Sequence, residues 1–273
     1  MHNLKESIFQ TFEKLVLKFA RLYTRKIGLR TPWIASRPNL AIQTLYSHRI
    51  NELLQKRFSG QVVSYLEIGL SEGNTFQGVK AQRRTGVDPN PNFKFVRKPQ
   101  DCKVIKSTSS EFFSSNEEKF DFIFIDGSHV FEDVLRDILD AISILSPGGL
   151  ILVDDVIPCD SYSAMPDLKF ALQSKFVETG SLNPAWHGDC FKAIFLLRKS
   201  FAEFPLQTLI PNFQSLIYWT PTLEERAKLI ESDLHSLIRN YTDIDFSTFF
   251  ADHVLLQNIF NFKWEWEIGI SQK

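Results

Sequence analysis

The sequence predicts an α/β fold: a doubly wound, mostly parallel seven-stranded sheet with helices on both faces and helical extensions at each end. Three observations lead there. From residue 62 onward, short apolar runs succeed one another, each bounded by turn residues. A helical period fills the interval between two of them, as in a strand–helix–strand crossover. The first run, Val62–Ile68, passes straight into Gly69, with Gly73 four residues on.

In chain order, Leu4, Ile8, Phe12, Leu15, Val16 and Phe19 recur at helical spacing among Lys5, Lys14, Lys18, Arg21, Arg25 and Lys26. This basic amphipathic segment suits a helix packed on the domain, on a second copy in a homo-oligomer, or on a membrane surface. Ala41–Phe58 predicts a further helix. The strands come next, at Val62–Ile68, Arg84–Val87, Cys102–Lys106, Phe120–Gly127 and Gly149–Asp155. Between the last two, Val130, Val134, Leu135, Ile138, Ile142 and Leu145 form a buried helical stripe, stopped by Pro147-Gly148-Gly149. Cys190–Arg198 and Phe213–Thr220 read as strands six and seven, joined by a loop carrying Pro205 and Pro211. Glu224–Arg239 and Phe246–Phe260 read as helices. The organisation expected is a helical extension over 1–58, the α/β domain over 59–220, and a helical extension over 221–273 packed on that domain.

Composition narrows the function. The 273 residues carry a net charge of −1, which offers no general attraction to nucleic acid. Cys102, Cys159 and Cys190 are odd in number and show no metal spacing, so neither a disulfide framework nor a zinc site is expected. No apolar run approaches the roughly 20 residues of a membrane span. The start, MHNLKESIFQTFEK, is too charged for a secretory signal. A cytoplasmic protein is expected.

In a doubly wound sheet, ligands bind beyond the carboxyl ends of the strands. The turn after strand one is not a dinucleotide loop: GxGxxG from Gly69 would need glycines where Ser71 and Asn74 stand. A phosphate-binding P-loop is also missing. What stands there is ExGxxxG: Glu67, Gly69 and Gly73. Nineteen residues beyond Gly69, Asp88 ends strand two, where a carboxylate accepts hydrogen bonds from ribose hydroxyls. The pattern suits a nucleoside without a pyrophosphate.

A second constellation lies further on. Asp126 ends strand four, and Asp154 and Asp155 end strand five; in such sheets these strands are neighbours. Three carboxylates on one rim repel unless a cation sits among them, and oxygen ligands favour a hard ion, Mg²⁺ first. Adjacent strand residues point to opposite faces, so Asp154 and Asp155 share a site only if the strand ends at Val153. Otherwise one of them caps the next helix or meets the cofactor. His129 lies three residues past Asp126, as a general base or as a helix-end residue bonded to Glu132 or Asp133. Asn183–Ile194, NPAWHGDCFKAI, offers Trp186 to stack on a sugar ring, His187 beside it, and Asp189 to bond hydroxyls. The structural alternative has Asp189 paired with Lys192 and Trp186 in the core.

"YLEIGLSEGNTF", "GVDPNP" and "LSPGGLILVDD" together resemble the Rossmann-like class I S-adenosylmethionine-dependent methyltransferases. The acidic pattern resembles their metal-dependent O-methyltransferases of the catechol and macrocin types. The resemblance is strongest from Ser64 to Val156. It implies that Gly69, Gly73 and Glu67 serve the methionine end of the cofactor and that Asp88 serves the ribose. Thr108 and Ser109 stand where the family usually has Gly-Asp-Ser, on the adenine side, and Asp126 is within the cofactor's reach. It also implies Asp126, Asp154 and Asp155 as Mg²⁺ ligands and His129 as base. The expected reaction is methyl transfer to a hydroxyl of a sugar, glycan or glycosylated metabolite. The alternatives are a metal-independent small-molecule methyltransferase and a catalytically silent cofactor-binding protein.

Overall fold

The computed structural model describes residues 38–93, 95, 101–158, 160–201, 203–209 and 214–251. The basic N-terminal segment, Cys159, Pro211 and everything past Ala251 lie outside them. The chain divides into two compact units, Met1–Leu45 and Tyr46–Lys273. The sheet and the candidate site belong to the second.

Among the described residues the elements run α1 (Pro38–Phe58), β1 (Ser64–Ile68), α2 (Asn74–Gly78), β2 (Arg83–Val87), β3 (Cys102–Ile105), α3 (Ser109–Ser115), β4 (Phe120–Ile125), α4 (Phe131–Ser143) and β5 (Leu145–Val153). Then come α5 (Leu168–Thr179), α6 (Phe191–Ser200), β6 (Leu206–Leu209), β7 (Gln214–Tyr218), α7 (Leu223–Ser232), α8 (Leu234–Thr242) and α9 (Phe246–Ala251). The strands form one seven-stranded sheet in the order β3-β2-β1-β4-β5-β7-β6. All neighbours are parallel except β5–β7 and β6–β7. The direction of winding reverses between β1 and β4, which opens the crevice where doubly wound sheets bind ligands.

Alternation along each strand fills both faces. Leu66, Ile68, Ile123, Ile125, Ile151 and Val153 face one side, under α4, α6, α7 and α8. Tyr65, Phe122, Phe124, Leu150 and Leu152 face the other, with Ile50, Leu53 and Phe58 of α1 and Phe76 of α2. Leu223, Ala227, Ile230 and Ile238 bring α7 and α8 into the first core.

Three predicted elements need correction. Cys190–Arg198 is not strand six: Phe191–Ser200 is the helix α6, and the sixth strand is Leu206–Leu209, inside the predicted loop. Every residue from Phe191 to Leu197 is buried, so the run has no polar face and its period is illegible. The Pro147-Gly148-Gly149 stop lies inside β5, since α4 already ends at Ser143. The pairing with β4 shifts register there, between Phe120 and Phe122, and an irregularity of that kind tolerates proline in a sheet. Glu224–Arg239 divides into α7 and α8 at Asp233.

Candidate active site

Each parallel strand stops one residue short of a polar group that the ladder still fixes. Gly69 N–H donates to the Val87 carbonyl, Asp88 to Ile105, Asp126 to Ile68 and Asp154 to Ile125, at 2.8–3.2 Å. The ends of β1, β2, β4 and β5 therefore present Gly69, Asp88, Asp126 and Asp154 as one rim at the winding reversal.

The two glycines of the first turn answer to the protein's own packing. Gly69 has φ +86°, and a Cβ there would lie 1.9 Å from the Asp126 carbonyl oxygen. Gly73 has φ +67°, and its Cβ would lie 2.5 Å from the Phe93 ring. One glycine lets β1 and β4 close together beneath the crevice. The other admits an aromatic residue that packs edge-on against Phe76 and Phe95. The Asp88 carboxylate is already engaged: Oδ2 accepts from Leu70 N–H at 2.8 Å and Ser71 N–H at 3.0 Å, and Oδ1 from Asn90 N–H at 2.6 Å. A carboxylate offers about four acceptor directions, so roughly one remains for a hydroxyl. Asp88 thus both shapes the turn and faces the crevice.

Glu67 lies beneath this turn, 2% exposed. It accepts hydrogen bonds from the Tyr65 hydroxyl and the Phe76 main chain, and burial pushes its carboxyl up to about 8. Arg84 donates to the Phe76 and Val79 carbonyls, both at 3.0 Å, so Glu67 and Arg84 together fix the middle and the C-terminal end of α2 to the sheet. Thr108 is the N-cap of α3 in a reciprocal capping box with Glu111, and the Ser109 side chain bonds Asp137. Both side chains are engaged locally, leaving main-chain atoms to face a ligand there.

The acidic rim forms because β5 does end at Val153. Asp155 then takes φ +58°, a left-handed conformation that aspartate adopts more readily than most residues. Asp126, His129 and Asp155 each bring one ligand atom within 4.8 Å of the others. Burial, then the neighbouring charge of Asp154, pushes the carboxyls of Asp126 and Asp155 well above the usual range. Asp154, 5% exposed, is turned elsewhere, to the Tyr46 hydroxyl. The expected trio Asp126, Asp154 and Asp155 is therefore assembled differently, with His129 in the place expected for Asp154. Tyr46 and Gln214 escaped the sequence reading. Neither left a signal: Gln214 stands beside Ser215 at the start of β7, and its burial is a property of the fold.

His129 Nδ1 lies 3.3 Å from Asp155 Oδ2, too poorly aligned to bond, so this buried nitrogen has no hydrogen-bond partner. Burial lowers the imidazole's proton affinity, and a bond to the His187 main chain opposes that. His187 Nε2 is 3.9 Å from Asp155 Oδ1, and burial pushes its ring down to about 4. The Trp186 indole stacks on the His129 ring, centroids 4.5 Å apart and planes 10° from parallel. Asp189 is not free for an acceptor: Oδ1 accepts from Phe131 N–H at 2.7 Å, and Oδ2 pairs with Lys192 at 3.1 Å. The pairing with Lys192 is the structural alternative read from the sequence.

A glycine turn after β1, an acid after β2 and an acidic rim over β4 and β5, in a sheet of this order, match the arrangement expected from the sequence resemblance to class I S-adenosylmethionine-dependent methyltransferases. Residues 66–156, a third of the chain, match a family model described as a methyltransferase domain. No curated protein matches it. Among solved structures it is similar to the cofactor-bound protein Rv0187 from MTB, at 14% identity over 73% of this chain and 87% of that one, TM-score 0.40. It is similar to the MycE methyltransferase of the mycinamycin biosynthetic pathway, in complex with Mg, SAH and mycinamycin VI, at 15% identity over 71% of this chain and 61% of that one, TM-score 0.42. The third is an O-methyltransferase from Bacillus cereus in complex with SAH, at 14% identity over 72% of this chain and 88% of that one, TM-score 0.36. No helix among the described residues is long and apolar enough to cross a membrane.

Proposed function

We propose that this enzyme moves the methyl group of S-adenosylmethionine to a hydroxyl of a sugar, glycan or glycosylated small molecule, with a divalent cation, Mg²⁺ foremost, at the acidic rim. The observation that carries this is the convergence of Asp126, His129 and Asp155 within 4.8 Å. Two half-buried carboxylates and a partnerless buried imidazole nitrogen suit a cation: its charge would offset the burial and the neighbouring acid charge that hold those carboxyls above their usual range. Asp126 and Asp155 would hold it. A cation there supplies positive charge that lowers an acceptor hydroxyl's pKa.

The chain's residues do the rest. Asp88 takes a ribose hydroxyl with its remaining acceptor direction, while Gly69, Gly73 and Glu67 set the turn under the methionine end. Thr108 and Ser109 border the adenine side, and Asp126 faces the cofactor across the crevice. His129, neutral at pH 7 because burial lowers its affinity for a proton, accepts the hydroxyl proton. The new O–CH₃ bond forms as S–CH₃ breaks, and the sulfur keeps the electron pair. Trp186 and His187 border the acceptor. The catalytic domain spans 59–220. The reading includes a cytoplasmic location, as expected from three cysteines without a framework spacing.

The test offers labelled cofactor with sugars, lipid-linked glycans and catechols, with and without Mg²⁺. Chelator should abolish transfer and leave cofactor affinity intact; chelator-resistant transfer would favour metal-independent chemistry. His129→Ala should lower kcat by roughly 10²–10⁴-fold, the range of a positioned acid–base group.

The 4.8 Å grouping favours a second reading, in which His129 is itself a ligand. An imidazole donor would suit Mn²⁺ better than an all-oxygen site would. Pulsed paramagnetic resonance of the Mn²⁺-loaded protein separates the two: nitrogen coupling that disappears in His129→Gln makes His129 a ligand, and none leaves it as the base.

A further inference from the structure

The stretch Trp186–Lys192 has an obvious use as an acceptor platform, yet its contacts converge on three consecutive residues, His129 to Phe131. Trp186 stacks face to face on the His129 ring at 4.5 Å. Its indole N–H donates to the Met165 carbonyl at 2.7 Å, which fixes the ring's azimuth and uses its one polar group. Gly188 has φ +64°, and a Cβ there would lie 1.8 Å from the His129 carbonyl oxygen and 2.7 Å from the His129 Cβ. Only glycine allows this turn to lie so close. The Asp189 N–H donates to the His129 carbonyl at 3.1 Å, and the Asp189 carboxylate accepts from Phe131 N–H at 2.7 Å. That bond satisfies one of the orphan N–H groups at the start of α4. Lys192 pairs with Asp189 at 3.1 Å and reaches the Thr242 carbonyl on α8, so the acid's charge is compensated and the turn is tied to the C-terminal helices.

We propose that Trp186–Lys192 is a clamp on the turn that carries His129, and that Trp186 is a positioning residue for the imidazole rather than a sugar-stacking platform. The clamp acts at three levels. Gly188 and the Asp189 N–H grip the main chain at residue 129, the Asp189 carboxylate fixes the helix start two residues later, and the indole fixes the ring plane. Without the clamp, His129 would sit on a short turn after β4, with the Ser128 hydroxyl donating to Asp133 at 2.8 Å and accepting from Val130 N–H at 3.2 Å. Stacking of this kind sets a ring's rotation without using either of its nitrogens. The inference rests on the reading of His129 as a functional group of the rim. The geometric claim is measurable without turnover.

The measurement is the proton spectrum of the histidine rings in the full-length protein, with no cofactor, cation or acceptor added. The His129 resonances are assigned by their loss in His129→Gln. In the wild type, ring protons held over the indole should lie upfield of the free-imidazole position. Trp186→Leu should abolish that displacement, Trp186→Phe should keep much of it, and Gly188→Ala should reduce it by forcing the turn off residue 129. Wild-type His129 resonances at ordinary positions would overturn the clamp, and this holds even where a variant fails to fold. Resonances unmoved in a folded Trp186→Leu protein would overturn it too. Displacement that tracks these variants, in a protein whose His129→Gln form still transfers methyl at the normal rate, supports the clamp and refutes His129 as the base.

Discussion

Glu67 lies in the hydrophobic layer between β1 and α2, and burial raises its carboxyl from 4.5 to about 8. A raised carboxyl binds a proton in the folded state that the unfolded chain releases. Its stabilising effect is therefore complete below about 4.5 and is lost as pH rises through about 8. Glu67→Gln removes that titration and keeps the shape. Denaturant melts should show the wild type losing up to a few kcal/mol relative to Glu67→Gln between those limits. Parallel pH profiles of the two proteins would place the carboxylate in a solvated site instead. Asp88 carries three main-chain N–H groups on one carboxylate. Asp88→Ala should weaken cofactor binding by about 1–3 kcal/mol, as for hydrogen bonds to a charged group. Because that variant also frees the Leu70 and Ser71 amides, calorimetry should be paired with a thermal melt. The position of Asp88 was readable from its distance to Gly69. Its bonds to the turn were not, since hydrogen-bond partners are a property of the folded backbone.

At the scale of elements, legibility depended on the contrast between faces. β1, β2, β4 and β7 stood out because turn residues bound them, and α4 because a polar side accompanies its apolar stripe. α6 did not, for it is buried on all sides and reads as an apolar run of either kind. β6 was invisible as four residues in a loop bearing prolines. The two glycines of the first turn suggested close approach to a ligand, but their near neighbours are Asp126 and Phe93, far along the chain. Sequence spacing shows that something comes close and not what it is. Gly69→Ala tests the packing at this joint. Its Cβ would fall 1.9 Å from the Asp126 carbonyl, so β1 and β4 would have to part at the crevice. A loss of several kcal/mol is expected from the clash and the left-handed φ together, along with loss of cofactor binding. A folded Gly69→Ala protein of wild-type stability would mean that the joint opens without strain.

The whole molecule carries the rim as a built-in stress. A sheet covered on both faces ends, at the winding reversal, in clustered carboxyls whose proton affinity burial raises, with Asp154 raising that of Asp126 and Asp155 further. A cation bound to the folded chain alone stabilises it by RT ln(1 + [L]/Kd), about 2.7 kcal/mol at a hundredfold excess over Kd. For a protein of this size that is a rise of roughly 5–10 °C in melting temperature. Asp155→Asn should move the two halves of this balance in opposite directions. Asparagine tolerates the φ of +58° as aspartate does, so the backbone stays. Removing one repelling carboxyl should leave the cation-free protein as stable as the wild type or more so, while the rise with Mg²⁺ or Mn²⁺ should largely vanish. Asp154→Asn should behave otherwise. Its carboxyl is held by Tyr46 and lies outside the 4.8 Å grouping, so the cation response should persist in part. Melts of the three proteins with chelator and with each cation decide it. Equal cation shifts in the wild type and Asp155→Asn would remove Asp155 from the site. A full response in Asp155→Asn with none in Asp154→Asn would restore the assignment first read from the sequence, with Asp154 turning from Tyr46 toward the ion.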